Sequence, residues 1–399
     1  MSDHTVLVIN AGSSTVKYQL ISPEDGAAIA SGIVERIGEE TGIVKHKYAG
    51  QEHTENLPIE DHGVGLRKVL DLFDAHGPNL ATANVVAVGH RVVQGGSVFP
   101  APTVITDEVV EQIRGLIPLA PLHNPGHVRG IEVARELLPD VPHVAVFDTS
   151  FFQTLPASAY TYALPKDVAQ EFSIRRYGFH GTSHQYVSRL AAHTIGKDVA
   201  DTNQIVLHLG SGASVSAIKQ GKAVETSMGL TPLEGLVMGT RTGDIDPAIV
   251  FHLYREAGMS IDEIDTMLNK QSGLKGLAGQ NDFRELLRLI GEGSADAQLA
   301  FDVFLHRIVK YVGSYMAVLG GLPDTITFTA GVGENTAIVR EKTVNALSGF
   351  GIAIDPELNS VRSDEPRIVS TPDSTVKILV VPTNEELEIS RQTMSLISE

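Results

Sequence analysis

At 399 residues the chain can form two domains, each burying its own core, and its 42% hydrophobic and 20% charged residues suit a globular enzyme. The absence of cysteine excludes disulfides, thiolate nucleophiles and Cys-ligated zinc. A net charge of −17 argues against nucleic acid as a partner, because phosphates would need a basic face that this composition does not supply. No apolar run approaches a membrane span, and a strand begins within a few residues of Met1, so the expectation is a cytoplasmic protein with no membrane partner.

In chain order, residues 6 to 20, VLVINAGSSTVKYQL, predict an apolar strand, a tight Gly/Ser loop and a second strand. Gly12 lets backbone approach a phosphate, Ser13, Ser14 and Thr15 bring hydroxyls, and Lys17 brings a point charge. Strand alternation points Thr15 and Lys17 to one side and Val16, Tyr18 and Leu20 to the other. The spacing is not that of a P-loop, and a strand follows rather than a helix. Next, VGHRVVQGG places Arg91 just after an apolar strand, where either a surface ion pair or a guanidinium fork for a carboxylate or phosphoryl group would explain it. Asn124 and Pro125 are expected to cap and start a helix running to about Leu138, and HVAVFDTSFF gives a strand ending in Asp148.

The second half opens near residue 150. His180 and His184 have the i, i+4 spacing of a zinc helix, but Gly181 weakens that turn and no glutamate follows His180, which argues against zinc. His180, heading a helix capped by Thr182 or Ser183, is better placed to hydrogen-bond an anion, while His184 and His90 read as satisfied structural histidines. IVLHLGSGASVSAI then repeats the strand–loop–strand of the N-terminus, with Thr15 set on Ser214, Ser13 on Gly212 and Ala11 on Gly210. This suggests two related domains, 1–150 and 151–383, each carrying a phosphate loop, with a nucleotide in the cleft between them. Arg241 lies in the glycine-flanked EGLVMGTRTGDIDP, and Asp246 and Pro247 start another helix. Helical spacing of Phe301, Phe304, Leu305, Ile308, Val312 and Tyr315 predicts a long core helix over about 296–319. TITFTAGVGEN predicts a strand and a third glycine-rich loop, with Asn335 capping the helix beyond. In PTNEEL, Thr383 and Glu386 have capping-box spacing, which leaves Glu385, with Asn10 and Asp148, as oxygen ligands for magnesium. Spacing leaves open whether this last helix, about 384–399, returns to the first domain.

Ten segments in this order, NAGSSTVK, GHRVVQGG, PLHNPGH, AVFDTSF, RRYGFHGTSH, HLGSGAS, MGLTPLEGLVMGTR, GDIDP, TAGVGEN and PTNEEL, resemble the acetate kinase family along nearly the whole chain. The resemblance implies an α/β fold of two duplicated actin-like ATPase (ribonuclease H-like) domains, and a homodimer. It implies Mg²⁺-dependent transfer, with Mn²⁺ as an alternative metal, of the ATP γ-phosphoryl group to acetate, giving acetyl phosphate and ADP. On matching positions, Asn10 and Glu385 would serve the metal, and Lys17, Ser13 and Thr15 the phosphates. Arg91 would hold the substrate carboxylate or the acyl phosphate, and Asp148 would be the catalytic acid/base or a metal-organising carboxylate. His180 and Arg241 would stabilise the transition state, with His123 nearby. Nucleotide contacts would come from His208, Leu209, Gly210, Ser211 and Gly212, from Asp282, Phe283 and Arg284, and from Gly331, Val332, Gly333, Glu334 and Asn335. Val93, Leu122, Phe179 and Pro232 match the family's apolar pocket for the acetate methyl. Three positions depart from the family pattern: Thr15 replaces serine, Gln94 replaces histidine and Ser211 replaces asparagine. Alternative readings are a propionate or butyrate kinase of the same superfamily, or a non-enzymatic ATP-switched module of the same fold.

Overall fold

The computed structural model describes residues 4–12 and 14–398, so Ser13, one of the expected phosphate contacts, lies outside the described residues. The chain divides into two compact units, Met1–Phe151 with Asn384–Glu399, and Phe152–Thr383.

The first unit is built on eight strands: β1 (Thr5–Ala11), β2 (Thr15–Ile21), β3 (Ala28–Glu35), β4 (Gly42–Tyr48), β5 (Gln51–Leu57), β6 (Val85–Val92), β7 (Thr103–Val104) and β8 (His143–Phe147). Their order in the sheet is β5-β4-β3-β2-β1-β6-β8-β7. β1 to β5 form an antiparallel meander, and β6 and β8 continue the sheet parallel to β1. The central strands are apolar on both faces, as strands covered on both sides must be: all five residues of β8 are buried. At the edge, β5 reads QEHTENL and buries none of its side chains. The helix His62–His76 is capped by Asp61, whose carboxylate accepts from the Val64 amide at 2.9 Å. The C-terminal helix, Glu385–Ile397, packs on β1, β6 and β8. Gly89 in β6 permits this approach, since a Cβ there would lie 2.7 Å from Thr393 Oγ1.

The second unit has six strands, β9 (Asn203–Leu209), β10 (Ala213–Lys219), β11 (Lys222–Thr226), β12 (Thr325–Thr329), β13 (Arg367–Ile368) and β14 (Lys377–Val380), in the order β11-β10-β9-β12-β14-β13. β9, β10 and β11 are an antiparallel meander, and β12 and β14 run parallel to β9. This matches β1, β2, β3, β6 and β8 strand for strand, so each unit repeats the core order of the actin-like, ribonuclease H-like α/β fold. The expected long helix is Ala295–Leu319; it starts at a Ser294 cap, ends at left-handed Gly320 and packs on β10. No helix among the described residues is long and apolar enough to cross a membrane.

Several local expectations are corrected. The glycine-rich segment after β12 is a short helix, Ala330–Asn335, rather than a loop, and the Asn335 side-chain Nδ2 donates back to the Gly331 carbonyl instead of capping the next helix. The Thr383–Glu386 capping box does not form: Asn384 caps the last helix by accepting from the Leu387 amide, because the Thr383 hydroxyl is committed to Ser183. His123 occupies the N-cap of the helix Asn124–Leu137, while the Asn124 side chain turns to the Gln94 backbone. Thr182 and Ser183 lie inside the helix Gly181–Thr194, whose N-cap is His180 itself.

Candidate functional site

In the first unit, the β1–β2 turn and the ends of β6 and β8 carry the expected residues. Asn10 and Lys17 face each other in the β1–β2 register. Lys17 is exposed and Thr15 half-buried. The turn is tight: the Gly12 amide donates to the Thr15 carbonyl at 2.7 Å, and a Cβ at Gly12 would lie 2.9 Å from Thr15 Oγ1. His62 Nε2 donates to the Gly12 carbonyl at 2.6 Å, a brace invisible in sequence because the two residues are 50 apart.

Arg91 near the end of β6 meets Asp148 just past β8 in a two-point pair, Nε to Oδ1 at 3.0 Å and Nη2 to Oδ2 at 2.7 Å. Glu385 Oε2 lies 4.0 Å from Arg91 Nε. Burial alone would lower the Arg91 pKa, but Asp148 and Glu385 outweigh it and hold the guanidinium charged. Burial likewise pushes the Asp148 carboxyl up, against the pull of Arg91. The loop after Arg91 is pinned by Asn124, whose amide group bonds both the amide and the carbonyl of Gln94. Gln94 Oε1 in turn accepts from the Gly96 amide at 2.8 Å, so this residue serves its own loop. Val93 is buried and Leu122 is 48% exposed.

No group of three or more His, Cys, Asp or Glu side chains is gathered for a metal among the described residues. The amide oxygen of Asn10 and the carboxylate of Glu385 are nonetheless the hard oxygen donors that magnesium takes, and magnesium needs few of them because it keeps several waters. Asp148 gives one lone pair of each carboxylate oxygen to Arg91.

In the second unit, the β9–β10 hairpin carries Gly210, Ser211 and Gly212, closed by a bond from the Gly210 amide to the Gly212 carbonyl at 3.0 Å. His180 adopts a left-handed backbone (φ 60°) at the head of its helix and stacks on the His208 ring at 4.2 Å. His208 Nδ1 pairs with Ser183 Oγ at 2.8 Å. Arg241 differs from Arg91: its Nη1 donates to the Pro232 carbonyl at 3.3 Å, and no carboxylate among the described residues pairs with it. Burial lowers its pKa accordingly. A Cβ placed on Gly212 would sit 3.4 Å from Arg241 Nη1 and 3.5 Å from His180 Nε2, so both groups border the space that glycine leaves open. Asp244 braces the Arg241 loop: its carboxylate accepts from the Gly235 amide at 2.8 Å and from the Tyr311 hydroxyl at 2.8 Å. Phe179 is buried and Pro232 half-buried.

A cavity of about 760 Å³ opens beside this hairpin. Its lining unites Gly210 and Ser211 with Asp282, Phe283 and Arg284 and with Gly331, Val332 and Asn335. Phe304, which helical spacing assigns to the core, also reaches it, as do Ile338 and Arg362, which carried no motif signal. His208, Leu209, Gly212, Gly333 and Glu334 are not in the lining. Glu334 turns inward, accepting from the amides of Ala330 (2.7 Å) and Thr383 (3.1 Å), and Gly333 is buried beside Phe328 and Leu209. Asp282 caps the helix Phe283–Gly291 and holds Arg284.

A duplicated actin-like fold with a glycine-bearing hairpin in each unit places the chain in the class of actin-like nucleotide-dependent proteins. The acetokinase family profile matches residues 5–391, and the chain belongs to that family. It is 56% identical to an acetate kinase of Corynebacterium efficiens over 388 residues, 96% of this chain and 97% of that protein. The crystal structure of Porphyromonas gingivalis acetate kinase is similar with a TM-score of 0.94 at 41% identity, covering 99% of this chain and all of the other. A propionate kinase from Francisella tularensis is similar with a TM-score of 0.92, also at 41% identity, over 98% of each chain.

Proposed function

We propose that the protein reversibly transfers the γ-phosphoryl group of ATP to acetate, giving acetyl phosphate and ADP by direct in-line displacement. An acetate oxygen forms a bond to the γ-phosphorus as the bond to the β,γ-bridging oxygen breaks, and that electron pair leaves with ADP. Acetate at neutral pH is already an oxyanion, so no strong base is needed. The difficulty is charge: two anions must meet, and negative charge must be held on the oxygens of a largely dissociative phosphoryl group. The observation that carries the reading is the open space over Gly212, bordered by His180 and by Arg241, which has no carboxylate partner among the described residues. Fixed donors of this kind stabilise charge that develops in the transition state.

Arg91 supports the same reading from the first unit. Asp148 occupies its Nε and Nη2 and orients the fork, leaving Nη1 for the substrate carboxylate. Lys17 and Thr15 serve the nucleotide phosphates, His123 lies close to the transferring group, and the 760 Å³ cavity takes the nucleoside. Val93, Leu122, Phe179 and Pro232 meet the acetate methyl. Asn10 and Glu385 would hold Mg²⁺, or Mn²⁺ in its place, which when bound offsets charge on the β- and γ-phosphates. A cytoplasmic homodimer completes the proposal. It is supported by the helix Ala248–Glu256, which buries none of its nine residues and leaves Phe251 and Tyr254 more than half exposed.

The equal identity to a propionate kinase favours one second reading, a longer acyl substrate. The discriminating experiment is kcat/KM for acetate, propionate and butyrate with Mg·ATP, trapping the acyl phosphate, with pyrophosphate as an alternative donor. A preference for acetate with ATP supports the proposal. One methylene is worth only about 1–3 kcal/mol in an apolar pocket, so turnover of propionate is expected, and only a preference for it would favour the second reading. Nucleotide binding without turnover of any carboxylate would sink both.

A further inference from the structure

A chain of hydroxyls and rings runs behind His180, wholly within the second unit. Ser214 Oγ lies 2.9 Å from His180 Nδ1 and 2.8 Å from His184 Nε2, and Ser216 Oγ lies 2.7 Å from His184 Nδ1. Ser214 and Ser216 are two apart on β10 and therefore share a face, while His180 and His184 are separated by one helical turn. Ser214, Ser216 and His184 are completely buried. We propose that Ser216, His184 and Ser214 form a directional relay that fixes His180 in the tautomer with Nδ1 bare and the hydrogen on Nε2, the nitrogen that borders Gly212. The proposal deepens, and rests on, the assignment of His180 to the transferring phosphoryl group.

The direction follows from counting hydrogens. Ser216 Oγ has His184 Nδ1 as its hydrogen-bond partner and no second acceptor among the described residues. Its hydroxyl hydrogen either points at Nδ1 or is buried unsatisfied, at a cost of about 1–3 kcal/mol. With Ser216 donating, neutral His184 carries its one hydrogen on Nε2 and gives it to Ser214 Oγ. Ser214 then has a single acceptor left for its own hydrogen, His180 Nδ1. His180 accepts there and so keeps its hydrogen on Nε2. Run in reverse, the relay would strand the Ser216 hydrogen and turn the Nε2 lone pair towards an anion, which is repulsive. Burial holds the His184 pKa well below the ordinary histidine value, so the ring stays neutral and the count holds. Stacking on His208 at 22° between ring planes fixes the orientation of the His180 ring.

The test combines nitrogen-15 histidine NMR of the unliganded protein near neutral pH, with His180 assigned from the spectrum of His180→Gln, and steady-state kinetics. In the wild type, His180 should show a bare Nδ1 and a protonated Nε2. In Ser214→Ala both nitrogens should move towards averaged values. Its kcat should fall on the order of 10-fold, part of what losing an oxyanion donor outright costs, with little change in KM for ATP. Ser216→Ala should shift both readouts in the same direction, and Ser216→Thr, which keeps the hydroxyl, should restore them. A wild-type His180 with its hydrogen on Nδ1, or a Ser214→Ala protein unchanged in tautomer and kcat, would overturn the relay. Absence of acetate phosphorylation by the wild type would instead remove the functional reading, and the NMR comparison would still decide the relay.

Discussion

Arg91 and Arg241 are both half-buried yet sit in opposite electrostatic states, and the difference predicts different behaviour on truncation. Arg91→Ala strands Asp148 as a buried, unpaired carboxylate, so thermal unfolding should show a loss of about 3–5 kcal/mol together with the loss of activity. Arg241→Ala removes a half-buried charge that has no counter-ion among the described residues, so the melting midpoint should hold or rise while kcat falls about 10³-fold with ATP affinity nearly unchanged. A variant within a few-fold of wild-type kcat would remove Arg241 from the chemistry. Buried histidines give a second effect at this scale. Burial, helped by nearby Arg91 and His123, lowers the His127 pKa to about 3, and burial drives His90 and His184 down as well. The unfolded chain binds protons at these residues below about pH 6.5 and the folded chain does not. Their stabilising contribution is therefore complete above that pH and is lost as pH falls, at His127 by about 1.4 kcal/mol per pH unit down towards pH 3. Urea midpoints at about pH 7.5 and about pH 5 should differ markedly, and less so in His127→Gln. Equal midpoints would show that these rings charge within the fold.

At the scale of elements, apolar runs made the strands legible: VLVIN, HVAVF and TITFT are buried strands because each needs cover on both faces. The glycines of AGVGEN read as a loop because Gly disfavours helix, but an inward Glu334 bonding the Ala330 and Thr383 amides pulls the segment into a helical turn. The capping box failed for a similar reason, since local spacing cannot show that the Thr383 hydroxyl is taken by Ser183, 200 residues away. Asn384 holds the start of the last helix instead, one residue before Glu385 and its approach to Arg91. Asn384→Ala should cost about 1 kcal/mol in chemical denaturation, and Asn384→Asp should recover most of it. An unchanged midpoint in the alanine variant would mean that packing on β1, β6 and β8 alone defines the helix end.

For the whole molecule, order along the chain was more informative than any single loop. Each glycine-rich turn alone reads as an ordinary turn, and only their succession along the chain pointed to a duplicated nucleotide-binding fold. The braces were illegible because they join distant residues: His62 to Gly12, Asn124 to Gln94, and Asp244 to Tyr311. The cavity residues Ile338 and Arg362 carried no motif signal for the same reason. The surface assigned to the proposed dimer is equally hard to read from spacing. Ala248–Glu256 follows a recognisable Asp–Pro start, yet it buries none of its residues, with Phe251 55% and Tyr254 56% exposed one turn apart on the same face and Ile261 56% exposed on the next helix. Leaving such aromatic area in water is unfavourable by about 25 cal/mol per Å², a cost that association with a second copy removes. The proposed dimer therefore predicts that Phe251→Glu with Tyr254→Glu yields a folded monomer by light scattering, since no buried contact within the chain is lost. A double variant that remains dimeric would place the interface elsewhere, and a wild type that is already monomeric at micromolar concentration would remove the dimer altogether.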